Sequence, residues 1–279
     1  MPVVVDLVVE QGRLPASPAV LRGLLGQLIA DPPGCHGSGF KPYRTGQLVT
    51  GQGCAQSWRL AWLREAGGAD GQWPAEPPWP AEPPWPVLAD GVRLSVNDGS
   101  TVLVRERSRS EISYGALWRV PACTEIVMEF RSPVYFRRSA SKPADGNARG
   151  RGAVSPRRRW PLPDPVLVLD SLRETWKQCA PPELAIGPEL LHDLLDHVQV
   201  RDFSGGTRPL YPRTRRPAGE SASGWENAVG FVGRAMFGLA RTASPEVVRC
   251  FTSLAHYAGY AGVGAQRTYG FGDVMVHHG

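Results

Sequence analysis

The chain has 279 residues, with 31 Lys+Arg against 26 Asp+Glu, and a formal charge of +5. Glycine (32) and proline (27) are abundant, which implies many turns and at least one insert without regular structure. No apolar run reaches the ~18 residues of a membrane span, and Asp6 interrupts the only leader-like stretch, so a basic, cytoplasmic protein without a membrane partner is expected.

Val3 to Val9 (VVVDLVV) is short and β-branched and reads as a buried strand. Ser17-Pro18 then supplies a helix start, and Val20, Leu21, Leu24, Leu25 and Leu28 follow at helical spacing until Asp31-Pro32-Pro33. A glycine-rich loop, GCHGSGF, leads into an extended KPYRTGQLV, and SWRLAWL fits a strand or a helix, with strand preferred. Residues 72–86 hold a tandem AEPPWP repeat, whose proline density excludes helix and interior strand. GVRLSVNDGSTVLVRER reads as a hairpin turning at Asn97-Asp98-Gly99.

A second βα pattern starts at EIVMEF, followed by RSPVYFRR. After WPLPDP, Asp170 is expected to cap a helix carrying Leu172, Trp176 and Cys179, and a further helix spans about Pro188 to Asp196. HVQVRDF alternates like a strand, and WENAVGFVGRAMFGLA reads as a long bent strand or hairpin. Ser244-Pro245-Glu246 opens a helix that should end at Gly259, before GVGAQRTYGFG and a last strand, DVMVHH. Two successive β-α-β-β patterns predict an α+β fold of two tandem ferredoxin-like (RRM-like) domains, 1–120 and 121–279. The second would carry a C-terminal glycine-rich loop at 262–272.

Only Lys41, Lys142 and Lys177 are lysines, so almost all cations are arginine. They cluster between Arg137 and Arg159 and again from Arg201 to Arg216. A single basic run is commonly a solvated loop, but two in a basic chain favour a phosphate-backbone partner. The cysteines Cys35, Cys54, Cys123, Cys179 and Cys250 are scattered and odd in number, disfavouring a disulfide scaffold or a zinc ribbon.

The loop around Arg267, Thr268 and Tyr269 is not a dinucleotide site, because a helix precedes it and only a short strand follows. His192 and His197 lack metal-pair spacing, and His277 and His278 should point to opposite faces of a strand. His256 reads as a packing or surface residue, and no cluster suggests two-metal chemistry, so no metal and no cofactor are expected. His36, in the permissive loop beside Lys41 and Tyr43, fits a general acid/base group near a cation, although the residues alone favour a solvent-exposed histidine.

Four segments in order then resemble one family. SEISYGALWRVPACTEIVMEFRSPVYFRR, PLPDPVLVLDSLRETW, GFVGRAMFGL and FTSLAHYAGYAGVGAQRTYGFGDV are similar to the corresponding parts of the CRISPR repeat-RNA processing endoribonucleases of the RAMP superfamily. The resemblance implies metal-independent cleavage of precursor CRISPR RNA, in which the ribose 2′-OH attacks the adjacent phosphate. The products would be mature guide RNAs with 2′,3′-cyclic phosphate and 5′-OH ends.

It places His36 as catalytic acid/base and Lys41 as the group that offsets phosphorane charge. Tyr43 stands in for a tyrosine that relatives carry near the first helix. Expected RNA contacts are Arg44, Arg157, Arg158, Arg159, Arg234, Arg267 and the loop glycines Gly262, Gly264, Gly270 and Gly272. Repeat RNA, as precursor and as mature guide, is the expected partner. A second copy of the chain and other subunits of a CRISPR effector complex are further candidates. The alternative is a non-catalytic RAMP subunit that binds guide RNA.

Overall fold

Alternating apolar residues in the first part of the chain pair into one antiparallel sheet. In the computed structural model, which describes residues 1–15, 17–29, 41–51, 56–64, 83, 88–96, 98–138, 158–210 and 229–278, β1 (Val3–Gln11) is followed by α1 (Pro18–Leu28), β2 (Tyr43–Thr50) and β3 (Gln56–Trp62). A hairpin of β4 (Val92–Ser95) and β5 (Thr101–Glu111) completes the order β2-β3-β1-β5-β4. Leu21, Leu24, Leu25 and Leu28 lie on one face of α1 and meet Val3, Val5, Leu7, Trp58, Leu60 and Trp62, alternate residues of β1 and β3. The intervening residues Val4 and Ala61 belong to the other core, so the second face of this sheet is turned to the rest of the chain. The tandem repeat, apart from Pro83, lies outside the described residues.

The second half begins with a short helix, α2 (Tyr114–Trp118), and a long strand, β6 (Glu125–Val134). A ribbon of β7 (Phe136–Arg138) and β8 (Arg158–Trp160) leads to α3 (Pro165–Cys179) and α4 (Pro188–His197). β9 (Val198–Pro209), β10 (Val229–Leu239), α5 (Pro245–Ala261) and β11 (Val274–His278) follow. The sheet order is β11-β6-β10-β9. In the second sheet the first strand of a β-α-β-β-α-β motif lies between its third and last, the ferredoxin-like arrangement. In the first sheet β1 likewise lies between β3 and β5, but among the described residues a 3-10 turn and the extra strand β4 stand where the motif has its second helix. The α+β class is therefore as expected.

Local chemistry moves three of the sequence boundaries. Asp164, not Asp170, caps α3, its carboxylate accepting from the Val166 amide at 2.9 Å. Pro165 at the first helical position suits that start, which leaves Asp170 inside the helix. α5 runs past Gly259 to Ala261, because the left-handed residue that ends it is Gly262, at φ 65°. β6 continues through Ser132-Pro133 at a bulge, where its pairing with β10 skips between Phe231 and Gly233.

The β9–β10 hairpin depends on two glycines directly opposite each other, Gly205 at φ 148° and Gly233 at φ 145°. A Cβ at Gly233 would stand 2.2 Å from the Ser204 carbonyl oxygen, whereas one at Gly206 would meet nothing within 4 Å. Gly233→Ala should therefore destabilise the protein by about 1–3 kcal/mol, with Gly206→Ala close to neutral, as read from urea midpoints. Equal effects of the two would contradict this account.

Candidate nucleic-acid interface

The glycine-rich segment after α5 folds back onto the junction between the two sheets. Gly262, Gly264, Gly270 and Gly272 all have positive φ, the region that favours glycine. At Gly272 a Cβ would lie 1.8 Å from the Val263 carbonyl oxygen, and at Gly264 it would lie 2.6 Å from that of Tyr135. Their amides are committed inward. Gly262 donates to Ala258 (2.8 Å), Gly272 to Pro133 (3.0 Å) and Gly270 to Arg267 (3.2 Å), while Gly264 reaches the Ser171 hydroxyl at 3.4 Å. Their amides are thus used within the chain, and the four glycines let the main chain pack.

What they pack around is charged. Arg44 of β2 is 1% exposed and Asp273, just after Gly272, is 2% exposed. Arg44 Nη1 donates to Asp273 Oδ1 at 2.6 Å, Nη2 to the Gly259 carbonyl at 2.6 Å, and Nε to the Tyr260 carbonyl. Burial pushes the guanidinium pKa down from its ordinary value, and Asp273 opposes that shift. The expectation of Arg44 as an RNA contact is therefore corrected: buried and fully engaged, it cannot meet a phosphate. Arg131 approaches Asp273 at 3.7 Å, and Ser132 Oγ accepts from the Asp273 amide at 2.7 Å.

Beside this pair, Arg59 holds Asp6 at 2.8 and 3.1 Å, with Ser108 donating at 3.3 Å. Burial alone would raise the Asp6 pKa, but the hydrogen bond and charge of Arg59 outweigh it and the net shift is downward.

Tyr43 is 5% exposed and its ring stacks on Trp62 in the N-terminal core. The assignment of Tyr43 to catalysis is corrected accordingly, since the strand turns this side chain inward. Lys41 stands half-buried just before β2. His36 lies outside the described residues. The segment that carries it is bracketed by α1 and β2, and both elements contact the single turn of 3-10 helix at Arg267–Tyr269. The Arg22 guanidinium of α1 sits 4.4 Å over the Tyr269 ring. Arg267 is partly covered, donates to the Ala261 carbonyl at 3.2 Å, and has its pKa pushed down by burial.

Of the basic cluster, Arg157 lies outside the described residues, and Arg158 and Arg159 are placed in β8. Arg159 is exposed and pairs in register with Arg137, which is also exposed. On the face of the second sheet opposite α5, Arg234 is 63% exposed and reaches Glu129 at 3.4 Å, which His277 also approaches at 3.2 Å. The structure thus brings together Arg22, Tyr269 and the loop turn, but places Arg234 apart on the sheet. Sequence reasoning missed Arg22 and Asp273. Arg22 is separated from Tyr269 by most of the chain, and Asp273 carries no local motif.

The comparisons agree with this architecture. The family model described as CRISPR-associated endoribonuclease Cas6 matches residues 128–274, more than half of the chain. Among solved structures, a Cas6 (TTHA0078) product complex is 25% identical, with a TM-score of 0.70 and 99% of each chain covered. A Cas6 (TTHA0078) substrate mimic complex is 24% identical, with a TM-score of 0.66 and 99% of each chain covered. Thermus thermophilus Cas6 (TTHB231) is 21% identical, with a TM-score of 0.58, covering 99% of this chain and 97% of its own. No curated protein matches the chain.

Asp273→Asn should cost about 3–5 kcal/mol, because it leaves a buried guanidinium without its charge partner. Combining it with Arg44→Met should recover much of that loss in a urea titration. If the double variant is no more stable than the single one, the pair is not the source. The lowered Asp6 pKa adds stability above the unfolded value of about 3.9, and that stability is lost as pH falls through the folded value. Asp6→Asn should accordingly flatten the fall in urea midpoint below about pH 4, and wild type and variant falling in parallel would refute the assignment.

Proposed function

Since the chain belongs to the CRISPR-associated endoribonuclease Cas6 family, whose members process CRISPR RNA, we propose that it cuts precursor CRISPR RNA within its repeats by attack of the ribose 2′-OH on the adjacent phosphate, without a metal ion in the reaction. The bond from phosphorus to the 5′-oxygen breaks, leaving a 2′,3′-cyclic phosphate on one product and a 5′-OH on the other. His36 takes the 2′-OH proton and returns a proton to the leaving oxygen, a task for which an imidazole pKa near 6.5 is suited. Lys41 offsets the charge that builds on phosphorus.

The observation that carries this reading is the placement of the Arg267–Tyr269 turn against both α1 and β2, the elements on either side of the His36 segment. It supports an RNA path from the glycine-rich loop toward His36. Arg159 and Arg137 on the ribbon, and Arg234 on the sheet, are the proposed phosphate contacts, together with Arg157 and Arg158. Arg267 flanks the path, its guanidinium held toward Ala261. The two halves, 1–120 and 121–279, are proposed to act as two domains that bind one repeat between them. A second copy of the chain, or subunits of an effector complex, would join through surfaces left uncovered here.

End-labelled repeat RNA, incubated with excess EDTA well below the unfolding temperature, tests the proposal. Wild type should cut once per repeat, a 2′-deoxy nucleotide at the cut site should block cutting, and His36→Ala should bind RNA but lose at least 100-fold in rate. Binding without cutting by the wild type would leave a guide-RNA-binding subunit as the reading. Equal cutting by His36→Ala would move the acid/base role to another residue.

A further inference from the structure

We propose that Cys123, His256 and His278 form a binding site for one zinc ion that fastens the C-terminal strand to the helix above it. The three residues are remote in sequence. Cys123 lies in the loop before β6, His256 on the sheet-facing side of α5, and His278 at the end of β11. The register puts His278 beside Ile126 of β6, so the last strand ends close to where Cys123 enters the sheet. Because side chains alternate on a strand, His277 turns to Glu129 on the open face and His278 turns under α5.

One ligand atom from each of the three residues lies within 4.8 Å of the other two. A tetrahedral zinc holds sulfur at ~2.3 Å and imidazole nitrogen at ~2.0–2.1 Å, so closing the site requires shifts of only about 1 Å. The imidazole rings of His256 and His278 have centroids 5.0 Å apart.

A further observation points to a ligand. His256 Nε2 is buried and, among the described residues, has no hydrogen-bond partner. A buried polar atom left in that state is costly, and a metal ion would satisfy it. Cys123 is held in place by Thr252, whose hydroxyl accepts from the Cys123 amide at 3.0 Å and lies 3.7 Å from its sulfur. One thiolate with two imidazoles suits the borderline-soft zinc ion better than calcium or magnesium. On binding, the Cys123 thiol gives its proton to solvent as the Zn–S bond forms, and the two histidines bind neutral. A fourth position would take water. The ion would act as a staple, because His278 lies five residues beyond Asp273 on an extended strand, about 16 Å along it from the buried pair at the sheet junction.

The test uses the untagged full chain, stripped with EDTA and dialysed, then titrated with Co²⁺ as a spectroscopic substitute. A thiolate-to-cobalt charge-transfer band saturating at one equivalent, displaced by Zn²⁺, is expected. Zinc in excess should raise the Tm by on the order of 5 °C. Cys123→Ser should abolish the charge-transfer band, and His278→Ala, at an exposed strand end where folding is not at risk, should weaken cobalt binding at least tenfold. Cys35→Ser should leave the band intact. Absence of a band in the wild type would overturn the proposal, as would its survival in Cys123→Ser or its loss in Cys35→Ser.

Discussion

A buried arginine and a buried aspartate, Arg44 and Asp273, tie the two sheets of this molecule together, and much of the local sequence makes sense as accommodation of that pair. A charge taken out of water is tolerated when it is paired and its remaining donors are used. Arg44 meets that condition with one carboxylate and the two carbonyls of Gly259 and Tyr260 at the end of α5. The surrounding chain must come close. A Cβ at Gly46 would stand 3.1 Å from Cβ of Arg59 and 3.3 Å from the Asp273 carboxylate, and one at Gly262 would stand 3.0 Å from Arg44 Cδ. Gly46 and Gly262 are therefore packing requirements of a buried ion pair, while Gly264, Gly270 and Gly272 let the loop close on neighbouring main chain. Their consequence for function is indirect: they fix the Arg267–Tyr269 turn against α1 and β2.

This divides the arginines into two populations that net charge does not separate. Arg44, Arg59 and Arg131 spend their charge on Asp273 and Asp6 inside the junction. Arg137, Arg159 and Arg234 present theirs outward. Only the second population can release counterions on meeting a polyanion. A count of +5 for the chain therefore understates how unevenly positive charge is presented. The ribbon β7–β8 is the part of the described surface where two arginines stand in register on neighbouring strands.

The order of strands and helices was legible because hydrophobic period and helix caps are local signals. Ser244-Pro245 and the Asn97-Asp98-Gly99 turn region needed no tertiary information. Sequence alone starts α3 at Asp170, after WPLPDP, and it takes the capping geometry to show that Asp164 starts the helix. Tyr43 and Arg44 show the deeper limit. Alternation correctly sends one to each face of β2, but it cannot say that the second face is covered by the rest of the chain. On an isolated sheet Arg44 would be a surface cation. Likewise, nothing local to Cys123, His256 or His278 announces a cluster, since it takes strand register and helix docking together to bring them within reach.

β11 shows how narrowly such nonlocal features are specified. It is a five-residue edge strand, paired only with β6, yet Asp273 precedes its first residue and His278 is its last. A slip of one residue against β6 would exchange the faces of His277 and His278 and draw Asp273 away from Arg44. Short edge strands slip readily unless something beyond the ladder holds them. Here Asp273 is fixed at the leading end by Arg44, Ser132 and Arg131, and the proposed zinc ion would fix the trailing end through His278. With the proposed ion bound, the register of β11 would not depend on its few ladder hydrogen bonds alone. The Arg267–Tyr269 turn, seated against α1 and β2, then inherits a defined position from the strand that follows it.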